Sequence, residues 1–293
     1  MIHKYLRAIG FSKIKNRKEL NKILNDVLKG PVERQYVSAG DERVLAEFRK
    51  EYADSIGVTV CGNYSEELEF EYDYYFPYII GKSISSTEDV SIERHIEKES
   101  YAGMCDDLKV GVSLIFYLQN RMDYLKQVNM GSRQGVFASV SLAGLSTEGS
   151  IVLPLMKDPV KTLAGKKNEH SRHELLAAAR EGNEEAIENL TIEDMDIYTA
   201  ISKRIGKDDI LSLVDTYFMP WGIECDLYSI LGEILESRAL TNSLTKEQIY
   251  VITLRCNDMD LDVCINEKDL VGDPAPGRRF KGIIWLQGHV NLI

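Results

Sequence analysis

No stretch of this 293-residue chain approaches the roughly 20 consecutive apolar residues that a bilayer-spanning helix requires. Residues 1–10 are too short and too polar for the apolar region of a secretory signal, so a cytoplasmic protein with no membrane partner is expected. Cysteine is scarce. Cys61, Cys105, Cys225, Cys256 and Cys264 are odd in number, far apart and never in a Cys-x-x-Cys pair, which argues against a disulfide framework and a zinc clip and fits a reducing compartment. The chain also lacks a His-Glu-x-x-His helix, a Gly-x-Gly-x-x-Gly turn, a P-loop and a Gly-x-Ser-x-Gly elbow. Zinc peptidases, dinucleotide enzymes, P-loop nucleotidases and serine hydrolases each miss a defining part. No cofactor and no metal are therefore expected, and no catalytic residue is assigned.

Positive charge is missing where nucleic acid would need it. The net charge is −11, and carboxylates outnumber Lys and Arg over residues 208–293, whereas residues 1–30 are basic, with only Glu19 and Asp26 opposing. A phosphate-tracking groove in the C-terminal part is disfavoured, and nucleic acid is an unlikely partner.

What is present, 44% hydrophobic residues with seven prolines, is the composition of a globular protein able to bury a core. Asn16 is placed to cap a helix with Glu19 at its third position; Leu20, Ile23, Leu24, Val27 and Leu28 form one stripe, and Gly30-Pro31 ends it. Beyond it the period changes to two. Residues 44–52, 56–61, 70–76, 90–98, 108–118, 136–142 and 150–155 read as half-buried strands of an antiparallel sheet, with a short helix over 120–129. In residues 70–76 the phase puts Phe70, Tyr72, Tyr74 and Phe76 inside and leaves Tyr75 and Tyr78 exposed.

Residues 157–171 are polar, bear Gly and Pro, and have no apolar period, which places a domain boundary there. The expected fold class is α+β. Residues 1–156 form an antiparallel sheet domain with flanking helices, 157–207 a linker and short helical connector, and 208–293 a small β-barrel of oligonucleotide/oligosaccharide-binding type. In the connector, Ser171 with Glu174, Asn183, and Thr191 with Asp194 are start signals for three helices. Turns at 220–222, 257–260 and 273–277 separate the barrel strands.

Several constellations resemble chemical motifs. Residues 173–190 resemble one ankyrin helix pair, but no second copy follows at the required period, so a plain helical hairpin is expected. Asp258, Asp260, Asp262, Asn266 and Asp269 mimic a calcium loop, yet Val263 stands where the sharp turn needs Gly and Asp269 where a Glu is usual, so an acidic hairpin is expected. His170 and His173 lack further ligands, His3 and His95 have no pattern around them, and Gly131–Gly135 reads as a turn.

The strand 278–290 separates two unlike faces. Phe280, Ile284, Leu286 and Val290 are core; Arg279, Lys281, Trp285, Gln287 and His289 combine cation, indole, amide and imidazole, and are the candidate ligand- or partner-binding face. The competing expectation is that Trp285 packs under the connector or the N-terminal domain while Arg279 and Lys281 are solvated.

HKYLRAIGFSKIK near the start, EYDYYFPY within, DILSLVDTYFMPWGIECDLYSILGEI and GRRFKGIIWLQGHV together resemble a Firmicutes family catalogued as a domain of unknown function, number 3881 in that series. The resemblance spans essentially the whole chain and implies a soluble bacterial protein of this length. It brings no activity, cofactor or catalytic residue. The function expected is non-enzymatic binding of a protein or small-molecule ligand, with a homo-oligomer open. The alternative is a hydrolase or transferase using Glu224 and Asp226 beside His289 at the domain junction.

Overall fold

A computed structural model describes residues 2–38, 43–64, 69–94, 100–107, 112–130, 137–154, 178, 183 and 214–292. The expected connector helices, His170 and His173, His95 and the turn at 131–135 lie outside the described residues, apart from Ala178 and Asn183.

Helix α1 (Arg17–Lys29) forms as its sequence signals require. The Glu19 N–H donates to Asn16 Oδ1 at 3.0 Å, Glu19 in return accepts from the Lys15 N–H at 2.8 Å, and Leu20, Ile23, Leu24 and Val27 are buried. It covers a four-stranded antiparallel sheet of order β1 (Glu33–Ser38), β2 (Val44–Ala53), β3 (Ile56–Tyr64) and β4 (Phe70–Ile79). In β4 the expected phase is wrong. The pairing with β3 shifts between Cys61 and Gly62, leaving Asp73 as an extra residue, and the run after the bulge is covered on both faces, so Tyr75 and Tyr78 are buried while Tyr72 is exposed.

The next strands are β5 (Val90–Arg94), β6 (Tyr101–Asp106) and β7 (Ser113–Leu118). Helix α2 (Arg121–Asn129) then leads to β8 (Phe137–Val152), β9 (Tyr217–Pro220), β10 (Leu227–Thr241), β11 (Gln248–Cys256), β12 (Met259–Asn266), β13 (Leu270–Val271) and β14 (Arg279–Leu292). The two strands expected at 136–142 and 150–155 are one, β8. Strands β10, β11 and β12 form a meander and β14 returns beside β10, which is a Greek key. Strand β8 closes the ring, antiparallel to β14 and parallel to β12, giving a five-stranded barrel. Segments assigned from sequence to separate domains thus contribute strands to one barrel, and β7, β6 and β5 extend it from β14.

Two large apolar clusters follow. One fills the barrel with Leu142, Ile230, Ile252, Leu254, Val263, Phe280, Ile284 and Leu286. The other lies outside it, between barrel, sheet and N-terminal segment, and includes Tyr5, Ile9, Leu24, Val60, Phe76, Leu145 and Trp285. No helix among the described residues is long and apolar enough to cross a membrane.

Candidate functional site

Alternation along β14 sends Phe280, Ile284, Leu286 and Val290 into the barrel, as their spacing requires, so the candidate face is the barrel's outer surface. Its five residues meet different surroundings.

Trp285 is 6% exposed. Tyr5 stacks on it with ring centroids 5.4 Å apart, Tyr117 and His3 lie at 5.2 and 4.8 Å, and the indole N–H donates to Asp226 Oδ2 at 2.7 Å. The covering element is the N-terminal segment, held to the barrel by backbone and side-chain bonds. Asn242 Nδ2 donates to Ile9 O at 2.8 Å, and Thr245 Oγ1 to Gly10 O at 2.7 Å. Glu247 accepts from Ser12 Oγ at 2.7 Å and from Asn266 Nδ2 at 2.8 Å. Burial, followed by the nearby Glu224, Asp226 and Glu148 carboxylates, raises the Tyr5 phenol well above its usual range.

Gln287 is wholly buried and completes a sheet edge. Its Nε2 donates to Pro77 O at 2.8 Å, and its Oε1 accepts from the Ile79 N–H at 3.3 Å and from Gln119 Nε2 at 2.9 Å, while Gln119 Nε2 also reaches Ile79 O at 2.7 Å. Two amide side chains thus occupy the open edge of β4 where another strand would pair. Arg279, expected in solvent, is 4% exposed and donates to Leu153 O and Val214 O at 2.8–3.1 Å. His289 is half-buried; burial, then the Arg49 charge, lowers its pKa, and Nδ1 has no hydrogen-bond partner.

Lys281 is different. It lines an open cleft of about 500 Å³ together with Glu148, Gly149, Ser150, Tyr217, Trp221, Ser229, Gly282 and Ile283. The local sequence explains its shape. Opposite Ile283 the β8–β14 register shifts, so Thr147 and Glu148 together face one residue of β14. Such a bulge re-aims side chains, and here it turns Glu148 to the cleft. Ser146 Oγ pins it through Glu148 O at 2.7 Å and Ile283 O at 2.8 Å. Gly282 permits it, because a Cβ there would come within 2.8 Å of Glu148 O. Ser150 pairs directly with Lys281, and Ser229 with Ile283.

The opposite wall is β9 and the turn after it. Tyr217 is held by its carbonyl, which accepts from Cys256 Sγ at 3.0 Å. Trp221 projects from the Pro220-Trp221-Gly222 turn, fixed by its N–H to Leu227 O at 2.8 Å, with Gly222 at φ 72°. Its indole is 49% exposed.

The acid/base set Glu224, Asp226 and His289 is not brought together. Asp226 is engaged by Trp285, Glu224 lies 3.8 Å from Lys4, and His289 faces Arg49, Asp123 and Glu33. The carboxylates of the acidic hairpin disperse likewise: Asp260 pairs with Arg255, Asp262 accepts from Thr253 Oγ1 and the Lys82 N–H, and Asp269 pairs with Arg7. A second buried polar cluster, Arg121 bonded to Glu47 beside Cys61 and Tyr74, joins α2 to the sheet; Cys61 is fully buried, and burial, then Glu47, raises its thiol far above its usual range.

Sequence reasoning therefore named Lys281 and missed Glu148, Trp221, Tyr217 and the two serines. Glu148 fell between two supposed strands, and Trp221 was read only as part of a turn. An indole in a Pro-x-Gly turn, where nothing in the local pattern buries it, was the available signal.

The family model described as a domain of unknown function with an E. rectale gene description, DUF3881, matches residues 6–288. No curated protein and no solved structure gives a significant match to the chain.

Proposed function

We propose that this chain, which belongs to the DUF3881 family and takes no activity from that family's description, is a cytoplasmic binding protein whose ligand site is the cleft at Lys281. The observation that carries this is the cleft itself: about 500 Å³, open, with a half-exposed indole on one wall and, on another, an ammonium with no partner among the described residues. Small-ligand sites have this character, mostly apolar surface with a few placed polar groups, and volumes of roughly 300–1,000 Å³. Three of the five residues on the predicted face, Arg279, Trp285 and Gln287, serve internal packing and His289 does not line the cleft, so the binding role contracts to Lys281 and its cleft neighbours. Free thiols at Cys61, Cys105, Cys225, Cys256 and Cys264 support the cytoplasmic placement.

The test is binding of N-phenyl-1-naphthylamine, a neutral two-ring dye whose emission rises on leaving water. It should bind the full chain, and Trp221→Ala should weaken it about tenfold, the loss of one good stacking contact. Unchanged dye affinity in Trp221→Ala would remove the cleft as the site.

A further inference from the structure

Resting on that binding role, we infer that the cleft takes a zwitterion with a flat apolar body, the chemistry of a free aromatic amino acid. Glu148 and Lys281 line one cleft on neighbouring strands, yet among the described residues neither side chain makes a hydrogen bond or ion pair, not even with the other. Elsewhere the described surface pairs such charges readily, as in Arg255 with Asp260 or Lys82 with Asp54. A cation and a carboxylate that line one cleft and are not paired with each other offer a site for one group of each sign.

An acid alone would gain Lys281 but meet the Glu148 carboxylate, and an amine alone would gain Glu148 but meet the ammonium. A zwitterion satisfies both, with a carboxylate accepting from Lys281 Nζ and an ammonium donating to Glu148. Charge-assisted bonds of this kind are the stronger ones. Ser150, opposite Lys281 in register, adds a hydroxyl beside the carboxylate position. On β14, between the β8 strand that carries Glu148 and the β10–β9 wall, the floor is Ile283 and Gly282, which suits a ring lying against Tyr217 and Trp221.

Calorimetric titration of the full chain with L-phenylalanine, phenethylamine and 3-phenylpropionate separates the possibilities. Phenylalanine should bind about tenfold or more tighter than either singly charged analogue, since each lacks one charge-assisted contact. Lys281→Met should bring phenylalanine down to the level of phenethylamine and leave phenethylamine itself no weaker. Glu148→Gln should do the corresponding thing against 3-phenylpropionate. Either analogue binding as tightly as phenylalanine, or no binding by any of the three, overturns the zwitterion. If the neutral dye still binds through Trp221 in that case, the cleft survives as the site and only its ligand class is wrong; if the dye is indifferent to Trp221→Ala, it is the cleft that fails.

Discussion

Trp285 and Lys281 stand four residues apart on the same face of the same strand, and their fates are opposite. Around Trp285 the N-terminal segment lies across the barrel, stacking Tyr5 on the indole and bringing Asp226 to its N–H. Around Lys281 no described element covers the strand, and the neighbouring β8 bulges to present Glu148 instead. The alternation of a strand fixes which side chains share a face; what covers that face is decided by distant chain, here the N-terminal segment, and by a one-residue irregularity in a neighbour. A face of mixed chemistry in sequence is therefore a composite. One half is an internal joint, and the other a cleft.

This contrast can be broken at several points, beginning with the largest effect. Trp285→Ala should cost on the order of 3–5 kcal/mol, because a buried indole with a stacked partner leaves a cavity that the barrel wall cannot close. Urea denaturation measures it, and a loss below 1 kcal/mol, as for an ordinary surface change, would mean that the covered half is not packed. Gln287→Ala comes next. It strands Pro77 O and the Ile79 N–H at a buried sheet edge, and an unsatisfied buried group costs about 1–3 kcal/mol. Hydrogen exchange at Ile79 should accelerate in the same variant.

Acid sharpens the comparison at the N-terminal strap. Burial pushes the Glu247 carboxyl up, but hydrogen bonds from Ser12, Asn266 and Lys268 outweigh it and hold the folded group below its ordinary value of 4.5. The strap's contribution is therefore complete above about pH 4.5 and is lost as the pH falls through the lower folded value, where the unfolded chain already holds the proton. Melting temperature against pH should show this slope in the native chain and lose it in Glu247→Gln; an identical slope in both would place the acid sensitivity elsewhere. Smallest is the effect of Lys281→Met on folding. A side chain with no partner among the described residues should change stability by no more than about 0.5 kcal/mol, so a larger loss in urea denaturation would show that Lys281 belongs to the joint and not to the cleft.

Much of the architecture was legible. The capping pair Asn16 and Glu19 and the Leu20–Val27 stripe give α1 as found, and the two-residue period of β14 names its core side correctly. The α+β class with a small barrel follows from such local signals. Errors arose where the period slips. In β4 the bulge at Asp73 interrupts the alternation and the residues after it are covered on both faces, which buries Tyr75 and Tyr78, and the bulge at Thr147–Glu148, followed by Gly149, made one long strand read as two. β1, with the sequence ERQYVS, has too little apolar alternation to stand out, because it is an exposed edge. Lys281 was visible as one of a mixed face, whereas Glu148 and Trp221 were not, since a bulge and a turn place them and neither leaves a periodic trace.

The division of β14 into a joint and a cleft is tested most directly by fluorine NMR of protein carrying 5-fluorotryptophan at its two tryptophans, with the resonances assigned by Trp221→Phe and Trp285→Phe, during titration with N-phenyl-1-naphthylamine. The resonance of Trp221 should move on saturation while that of Trp285 stays in place. Movement of Trp285 with Trp221 unmoved, or no movement of either, would contradict the division.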